Sequence, residues 1–415
     1  MSRNERDTRS EPGEGQEPAD EIAAGYLGVS PPVERLPEFG GQGGHGTRAW
    51  VDRPEQLAMA ADALRQAQVI AIDAEFAQIR SHAQGTAASS GPRLALLQLA
   101  IEGQCFVVDA LRVHDLSLLA SVVGNPAISI LLHGAGADMR VMSERGLVVA
   151  HYYDLEAASR SIFGQRESSL AAMLLRAFNV RLDKSLQRTD WTRRPLPSAM
   201  IAYAARDAEM TLALYNWLQR HYATFLRLHD SVNLEAPVAA WIEPHLRVHS
   251  PMSPDVALAE AILAGTVASP EQALRECAAA LAGLVHPMLR SRLLRLITDL
   301  NFTAMAPAIE PILQASTFDE RAAAVRALSR LDGERYKDAI LPLLQDPVFD
   351  VRKAAHIALR VTEPKEPKIQ RAAPVRRADG SRSWTVGGNA ETQDGDEGDG
   401  GADDWKARLR SIMGE

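Results

Sequence analysis

The sequence predicts an α/β domain followed by an all-helical repeat array, and three observations carry that reading. Apolar, β-rich runs of strand length occur at VIAIDAEF, RLALLQLA, QCFVVDAL and ISILLH, with helical periodicity between and after them. The second half is helical and repetitive: residues 308–331 realign with 339–362 at a fixed offset of 31. Both ends of the chain fall outside either pattern and are rich in Gly, Glu, Asp and Pro.

Residues 1–48 have no sustained apolar periodicity and are expected to be a disordered acidic tail, with ordered sequence starting near Trp50. The stretch PEQLAMAADALRQA predicts a helix from Pro54, because proline suits the first helical turn. VIAIDAEF (69–76) predicts a buried strand, and a polar, small-residue loop follows at 80–92. RLALLQLA and QCFVVDAL predict two more strands, with Glu102-Gly103 as a hairpin turn between them. ISILLH (128–133) predicts another strand, then a helix through MRVMSERG. From Asp154 to about Leu228 the pattern is mainly helical, which closes an α/β domain over 49–229.

A linker is expected at 230–254, then repeats over 255–362. The Ala-Ile, Pro, Leu-Gln, Phe-Asp, Arg, Ala-Ala and Ala-Leu positions recur in register, and a fainter copy covers 261–284, so about three units are expected. DPVFDVRKAAHIALRV (346–361) resembles the second half of a HEAT repeat, in which a D-x-x-x-D-V-R-x-x-A turn opens the inner helix. Residues 363–404 are expected to be a disordered linker. A short amphipathic helix at 405–415 would place Trp405, Leu409, Ile412 and Met413 on one face.

Composition removes several function classes. Cys105 and Cys277, the two cysteines, are far apart, which excludes a disulfide framework and a thiolate zinc site and suits a reducing cytoplasm. No apolar run is long enough to span a membrane, and no apolar leader opens the chain. The net charge of −8 is concentrated in the tails: −4 on residues 1–48 and −7 on 391–404, which leaves +3 on the remainder. A mildly basic folded part is compatible with a nucleic-acid partner.

Asp73-Ala74-Glu75 ends a strand, and strand alternation sends both carboxylates to one face, where they repel and require a cation. The same pair on an emerging strand end could equally be solvated. Asp138 follows a later strand near a helix start, where an Asp can simply answer the helix dipole. Tyr203 and Asp207 lie four apart on a helix and share a face, a spacing that also arises in ordinary packing. Lys184, Arg188, Arg193 and Arg194 form a basic cluster that is either a solvated face or a contact for backbone phosphates. Trp191 either stacks on a base or anchors its loop from inside.

Taken together, D-x-E, a later Asp and Y-x-x-x-D resemble the DEDDy 3′–5′ exonuclease superfamily. LDKSLQRTDWTRRPLPSAMIAYAARDA (182–208) is similar to the ribonuclease D stretch L-D-K-x-x-Q-x-S-D-W-x-x-R-P-L that precedes its Tyr and last Asp. LALLQLA, FVVDAL and YYDLEAA fit the same family over about 50–220. Ala74 stands where the family has Thr, Leu155 replaces the Thr after Asp154, and the loop 80–92 is longer and richer in Gly and Ser.

The resemblance implies a ribonuclease H-like fold, a mixed sheet flanked by helices, and two divalent cations, Mg²⁺ or Mn²⁺. Asp73 would bridge both ions, Glu75 and Asp207 would complete one site, and Asp138 would help hold the other. Tyr203 would orient the attacking water, and Lys184, Arg188, Trp191, Arg193 and Arg194 would contact substrate. The implied reaction is release of 5′-mononucleotides from an RNA 3′ end, as in tRNA 3′-end processing or RNA turnover. A DNA 3′–5′ exonuclease and a nucleic-acid-binding scaffold with little or no catalysis are the alternatives. The HEAT-like array in place of the family's small helical domains implies a further partner, a protein or a structured RNA.

Overall fold

The computed structural model describes residues 31–37, 47–78, 92–182, 189–234, 238–247 and 252–360, with 375–376 and 382–383. The loop 80–91, Lys184, Arg188, the expected helix at 405–415 and nearly all of both expected tails lie outside the described residues. Residues up to Thr362 form one compact unit; in the other, Glu363–Glu415, two short strands, Val375–Arg376 and Arg382–Ser383, pair antiparallel.

Six strands build a mixed sheet: β1 (Thr47–Val51), β2 (Val69–Gln78), β3 (Pro92–Ile101), β4 (Gln104–Asp109), β5 (Ser129–Leu132) and β6 (Tyr152–Asp154). Their order is β1-β4-β3-β2-β5-β6. The central hairpins are antiparallel and the outer pairs parallel. The Glu102-Gly103 turn between β3 and β4 is realised with Gly103 at φ 74, the left-handed region in which glycine meets no steric penalty. Both faces of the sheet are covered, which is why its strands read as continuous apolar runs rather than alternating ones. One face packs on α1 (Pro54–Arg65), α2 (Ser117–Val123) and α3 (Gly136–Ser143) through Leu57, Leu64, Leu119 and Met142. After α4 (Leu155–Phe163) and α5 (Leu170–Phe178), the long helix α6 (Ser198–His221) lies on the opposite face. The expected mixed sheet flanked by helices is present.

Three boundaries differ from expectation. Residues 31–37, assigned to the tail, pack on the domain: Glu34 pairs with Arg220 and His221, and Leu36 joins the cluster around Trp217. β1 and β6 were not anticipated, because each is short and gains its stability from pairing with residues distant in sequence. The segment 230–254 is no open linker. After α7 (Ala223–Leu228) it carries a turn at Ser231–Leu234 and α8 (Glu243–Leu246), and it buries Trp241, Ile242 and Leu246 in the helical core, where Trp241 Nε1 donates to Glu276 at 2.6 Å.

The helical region continues with α9 (Pro254–Leu263), α10 (Pro270–Gly283), α11 (Pro287–Asp299), α12 (Ala306–Ile309), α13 (Phe318–Asp332), α14 (Lys337–Ile340) and α15 (Phe349–Leu359). α11, α13 and α15 start at 31-residue intervals, so the third copy in register is α11 rather than the 261–284 segment. Arg321 Nη1 donates to the carbonyls of Ala315 and Ser316, and Arg352 repeats this 31 residues later on Asp346 and Pro347. The same interval recurs where the array meets the α/β domain. Ser161 Oγ donates to Asp319 at 2.6 Å, and Gln165 N donates to Asp350 at 3.2 Å. Between them, Gly164 (φ 88) comes so near Val348 that an added Cβ would lie 2.9 Å from it. The two regions are joined by these repeat-encoded contacts.

Candidate metal and catalytic site

Along β2 the residues alternate: Ile70, Ile72 and Ala74 enter the core below the sheet, while Ala71, Asp73 and Glu75 face α6. A register shift between Glu75 and Phe76 breaks the β2–β3 pairing just after the second carboxylate. On α6 the small residues Ala204, Ala205 and Ala208 sit against the sheet, so the helix backbone approaches it closely. Tyr203 and Asp207, one turn apart, are thereby brought over the end of β2. Asp73, Glu75 and Asp207 each offer a carboxylate oxygen within 4.8 Å of the others.

Asp138 lies in the first turn of α3 and is 9% exposed. It stands outside the three-residue cluster, yet its charge acts on Asp73 and Glu75. Burial, and after it the charges of Asp138 and Asp207, hold Asp73 well above the usual carboxylate range. Burial, with Asp73 next in weight, pushes Glu75 up to about 9. Burial and then Asp154 push Asp138 up to about 7. Like charges in a desolvated site favour protonation until a cation arrives. Among the described residues no Lys or Arg forms an ion pair with Asp73, Glu75 or Asp138. A hard divalent cation, which prefers oxygen ligands, suits this donor set.

The Tyr203 phenol hydrogen-bonds with Asp207, and burial, followed by the charge of Asp207, raises its pKa. It therefore stays protonated near neutral pH. Its ring packs on Trp191, with centroids 6.2 Å apart and 31° between planes. Trp191 is 2% exposed, so the base-stacking role is not supported: the indole has no free face and supports Tyr203 from within. Arg194 is likewise corrected. Its guanidinium holds both oxygens of the fully buried Asp109 at 2.7 Å and also donates to the carbonyls of Trp191, Arg193 and Ala95, which leaves nothing for a phosphate. Arg193 is exposed. Of the expected basic cluster it alone, among the described residues, remains open to substrate.

Three residues near the site were not singled out as site residues from sequence. Gln98 faces Asp73 across the β2–β3 pair, fully buried, with neither amide atom hydrogen-bonded to protein. Its place in an otherwise apolar strand, LALLQLA, was the available signal. Arg206, exposed, lines a cleft of about 420 Å³ with Tyr203, Arg48, Leu36, Pro37 and Leu182. Asp154 accepts four backbone N–H groups beside Asp138.

Residues 48–223 match the family model described as a 3′–5′ exonuclease. The chain is 33% identical to protein RRP6-like 3 of Arabidopsis thaliana over 39% of its own length and 18% of the relative's. It is 32% identical to the exosome complex exonuclease RRP6 of Saccharomyces cerevisiae, over 41% of the chain and 22% of the relative. With ribonuclease D of Haemophilus influenzae the identity is 28%, over 38% of each. The chain thus spans less than two-fifths of the length of these curated relatives. No helix among the described residues is long and apolar enough to cross a membrane. The α/β half of the chain, and with it all four carboxylates and Tyr203, falls within the match to 3′–5′ exonuclease domains, and the match stops before the helical repeats begin.

Proposed function

We propose that the protein is a metal-dependent 3′–5′ exoribonuclease that releases 5′-mononucleotides from RNA 3′ ends. The observation that carries this is the meeting of Asp73, Glu75 and Asp207 within 4.8 Å, in a site that raises carboxylate pKa values and lies beside a protonated tyrosine. The preference for RNA rests on relatives named as ribonuclease D and exosome exonuclease.

Asp73, Glu75 and Asp207 would hold one Mg²⁺ or Mn²⁺ ion, and Asp138 would help Asp73 hold a second. Such a pair of ions would supply charge neutralisation at phosphorus and lower the pKa of water at neutral pH. Tyr203, too weak an acid to be a base here, orients the attacking water by hydrogen bonding, while its own position is fixed by Asp207 and Trp191. Arg193 contacts a backbone phosphate upstream. The reading extends to α11–α15 as a HEAT-like array, supported by Arg290, Arg321 and Arg352 at 31-residue intervals, with a protein or structured RNA as its partner. A cytoplasmic setting accords with two reduced, buried cysteines.

The test offers 3′-labelled RNA and DNA in parallel with Mg²⁺, Mn²⁺ or EDTA. Immediate release of labelled mononucleotide from RNA, blocked by EDTA and by a 3′-phosphate, is expected. Cleavage of circular single-stranded RNA would contradict the exonuclease assignment, and faster release from DNA would contradict the RNA preference.

A further inference from the structure

Asp154 ends β6 directly opposite Leu132, the last residue of β5, and therefore sits beside the turn that leads into the Asp138 helix. Its Oδ1 accepts from Gly134 N at 3.0 Å, Glu156 N at 3.0 Å and Ala157 N at 3.3 Å, and its Oδ2 accepts from Ala135 N at 3.2 Å. One carboxylate thus caps one helix and ties down the entry to another. For α4 it is the ordinary N-cap. For α3, whose N-cap Ala135 has no side-chain acceptor, it holds the N–H groups of Gly134 and Ala135, the two residues that lead into the helix.

We propose that Asp154 is the positioning residue for Asp138, fixing the Gly134–Ala135 turn so that Asp138 projects toward Asp73 and Glu75. This inference rests on the metal-dependent reading above. The turn is held on its other flank as well. His133 Nε2 hydrogen-bonds with the Ser168 carbonyl at 3.0 Å, and Gly134 takes φ +81 with Glu156 Oε2 only 3.0 Å from where a Cβ would stand. Asp138 follows Ala135 by three residues, within one helical turn, so a tilt of the turn passes directly to its carboxylate. Asp154 is not itself offered as a metal ligand, since four N–H donors already occupy its oxygens.

The experiment counts Mn²⁺ on the full-length chain by electron paramagnetic resonance, without substrate, for wild type, Asp154→Asn and Asp154→Glu. The Asn variant keeps the Oδ1 bonds and the α4 cap but turns an NH₂ against Ala135 N–H. The Glu variant keeps the charge and misplaces it by one methylene. Both are expected to bind the first ion as wild type does and the second on the order of tenfold more weakly, as when a partner behind a metal ligand is removed. RNA hydrolysis should recover at saturating Mn²⁺. Wild-type affinity for both ions in Asp154→Asn would overturn the proposal. So would normal binding by Asp154→Glu with loss in Asp154→Asn, which would make charge alone the cause. If wild type bound no Mn²⁺ at all, the metal reading itself would fall, and this inference with it.

Discussion

Two sets of buried or half-buried carboxylates divide this molecule. Asp109 and Asp346 are each met by an arginine that answers both oxygens: Arg194 at 2.7 Å twice, and Arg321 at 2.8 and 3.1 Å. Asp73, Glu75 and Asp138 are also withdrawn from water, yet among the described residues they face other carboxylates instead of a cationic side chain. The first arrangement completes itself within the chain and belongs to structure. The second, on the proposed function, is completed by a divalent cation and belongs to function. Burial of charge alone does not separate the two; the nature of the partner does.

The largest effects should come from exchanging these behaviours. Asp73→Asn or Asp207→Asn should lower RNA hydrolysis by more than about 100-fold, since removing even the partners behind metal ligands costs about 10–100-fold. The same substitutions should leave the metal-free melting temperature unchanged or raised, because they dilute like charge. By contrast, Arg194→Ala or Arg321→Ala strands a buried carboxylate and should destabilise by about 3–5 kcal/mol in denaturant unfolding. A stability loss of that size from Asp73→Asn would erase the distinction between the two sets.

Next in size is Tyr203→Phe, which removes the hydroxyl and keeps the ring against Trp191. The catalytic rate should fall on the order of 100-fold with RNA affinity nearly unchanged. An unchanged rate at saturating substrate would make Tyr203 a packing residue only.

The pH dependence of stability sharpens the comparison from both sides. Glu75 and Asp138, at about 9 and 7, lie above their ordinary values, so the folded state holds protons that the unfolded chain releases. Their contribution is fully present below about pH 4 and is lost as pH rises through about 7 and then 9. Mg²⁺ should therefore raise the melting temperature more at pH 8 than at pH 6. His229 and His286, a buried pair at 5.0 Å, are pushed down by burial to about 3 and 4. Their contribution is present above about pH 6.5 and is lost as pH falls toward 4. His229→Phe should flatten the acid limb of the profile and leave the alkaline limb intact.

The smallest effect belongs to Arg193. Replacing it with Ala should weaken RNA binding a few-fold and reduce the salt slope by about one phosphate contact, with the rate constant preserved. Loss of rate without loss of affinity would place Arg193 nearer the reacting phosphate than its exposed position suggests.

The difference between the two sets also explains what was legible in the sequence. Asp73, Glu75, Tyr203 and Asp207 could be grouped because strand and helix periodicity fix which face each side chain takes, whatever the tertiary fold. Arg194 was misassigned because sequence shows a charge and not its partner, and Asp109 lies 85 residues away. Trp191 was open to two readings for the same reason, since its burial depends on how α6 meets the sheet. β1 and β6 escaped notice because their pairing partners are remote. Ser231–Leu246 looked like a linker because its buried residues follow no single period. The repeats were visible at offset 31, but the third copy was not: α11 shares the spacing and Arg290, while the positions of Ala323, Ala324 and Ala327 are taken there by Arg292, Leu293 and Leu296.

The most direct test of the central claim is calorimetric titration of Mn²⁺ into the metal-free protein at pH 7, in two buffers of different ionisation enthalpy. Carboxylates that wait for a cation must give up protons to it, and Glu75 and Asp138 still hold protons at that pH. The account predicts saturable binding with release of about one proton or more, abolished in Asp73→Asn. Binding without proton release, or none at all, would show that these carboxylates are not the incomplete set described above.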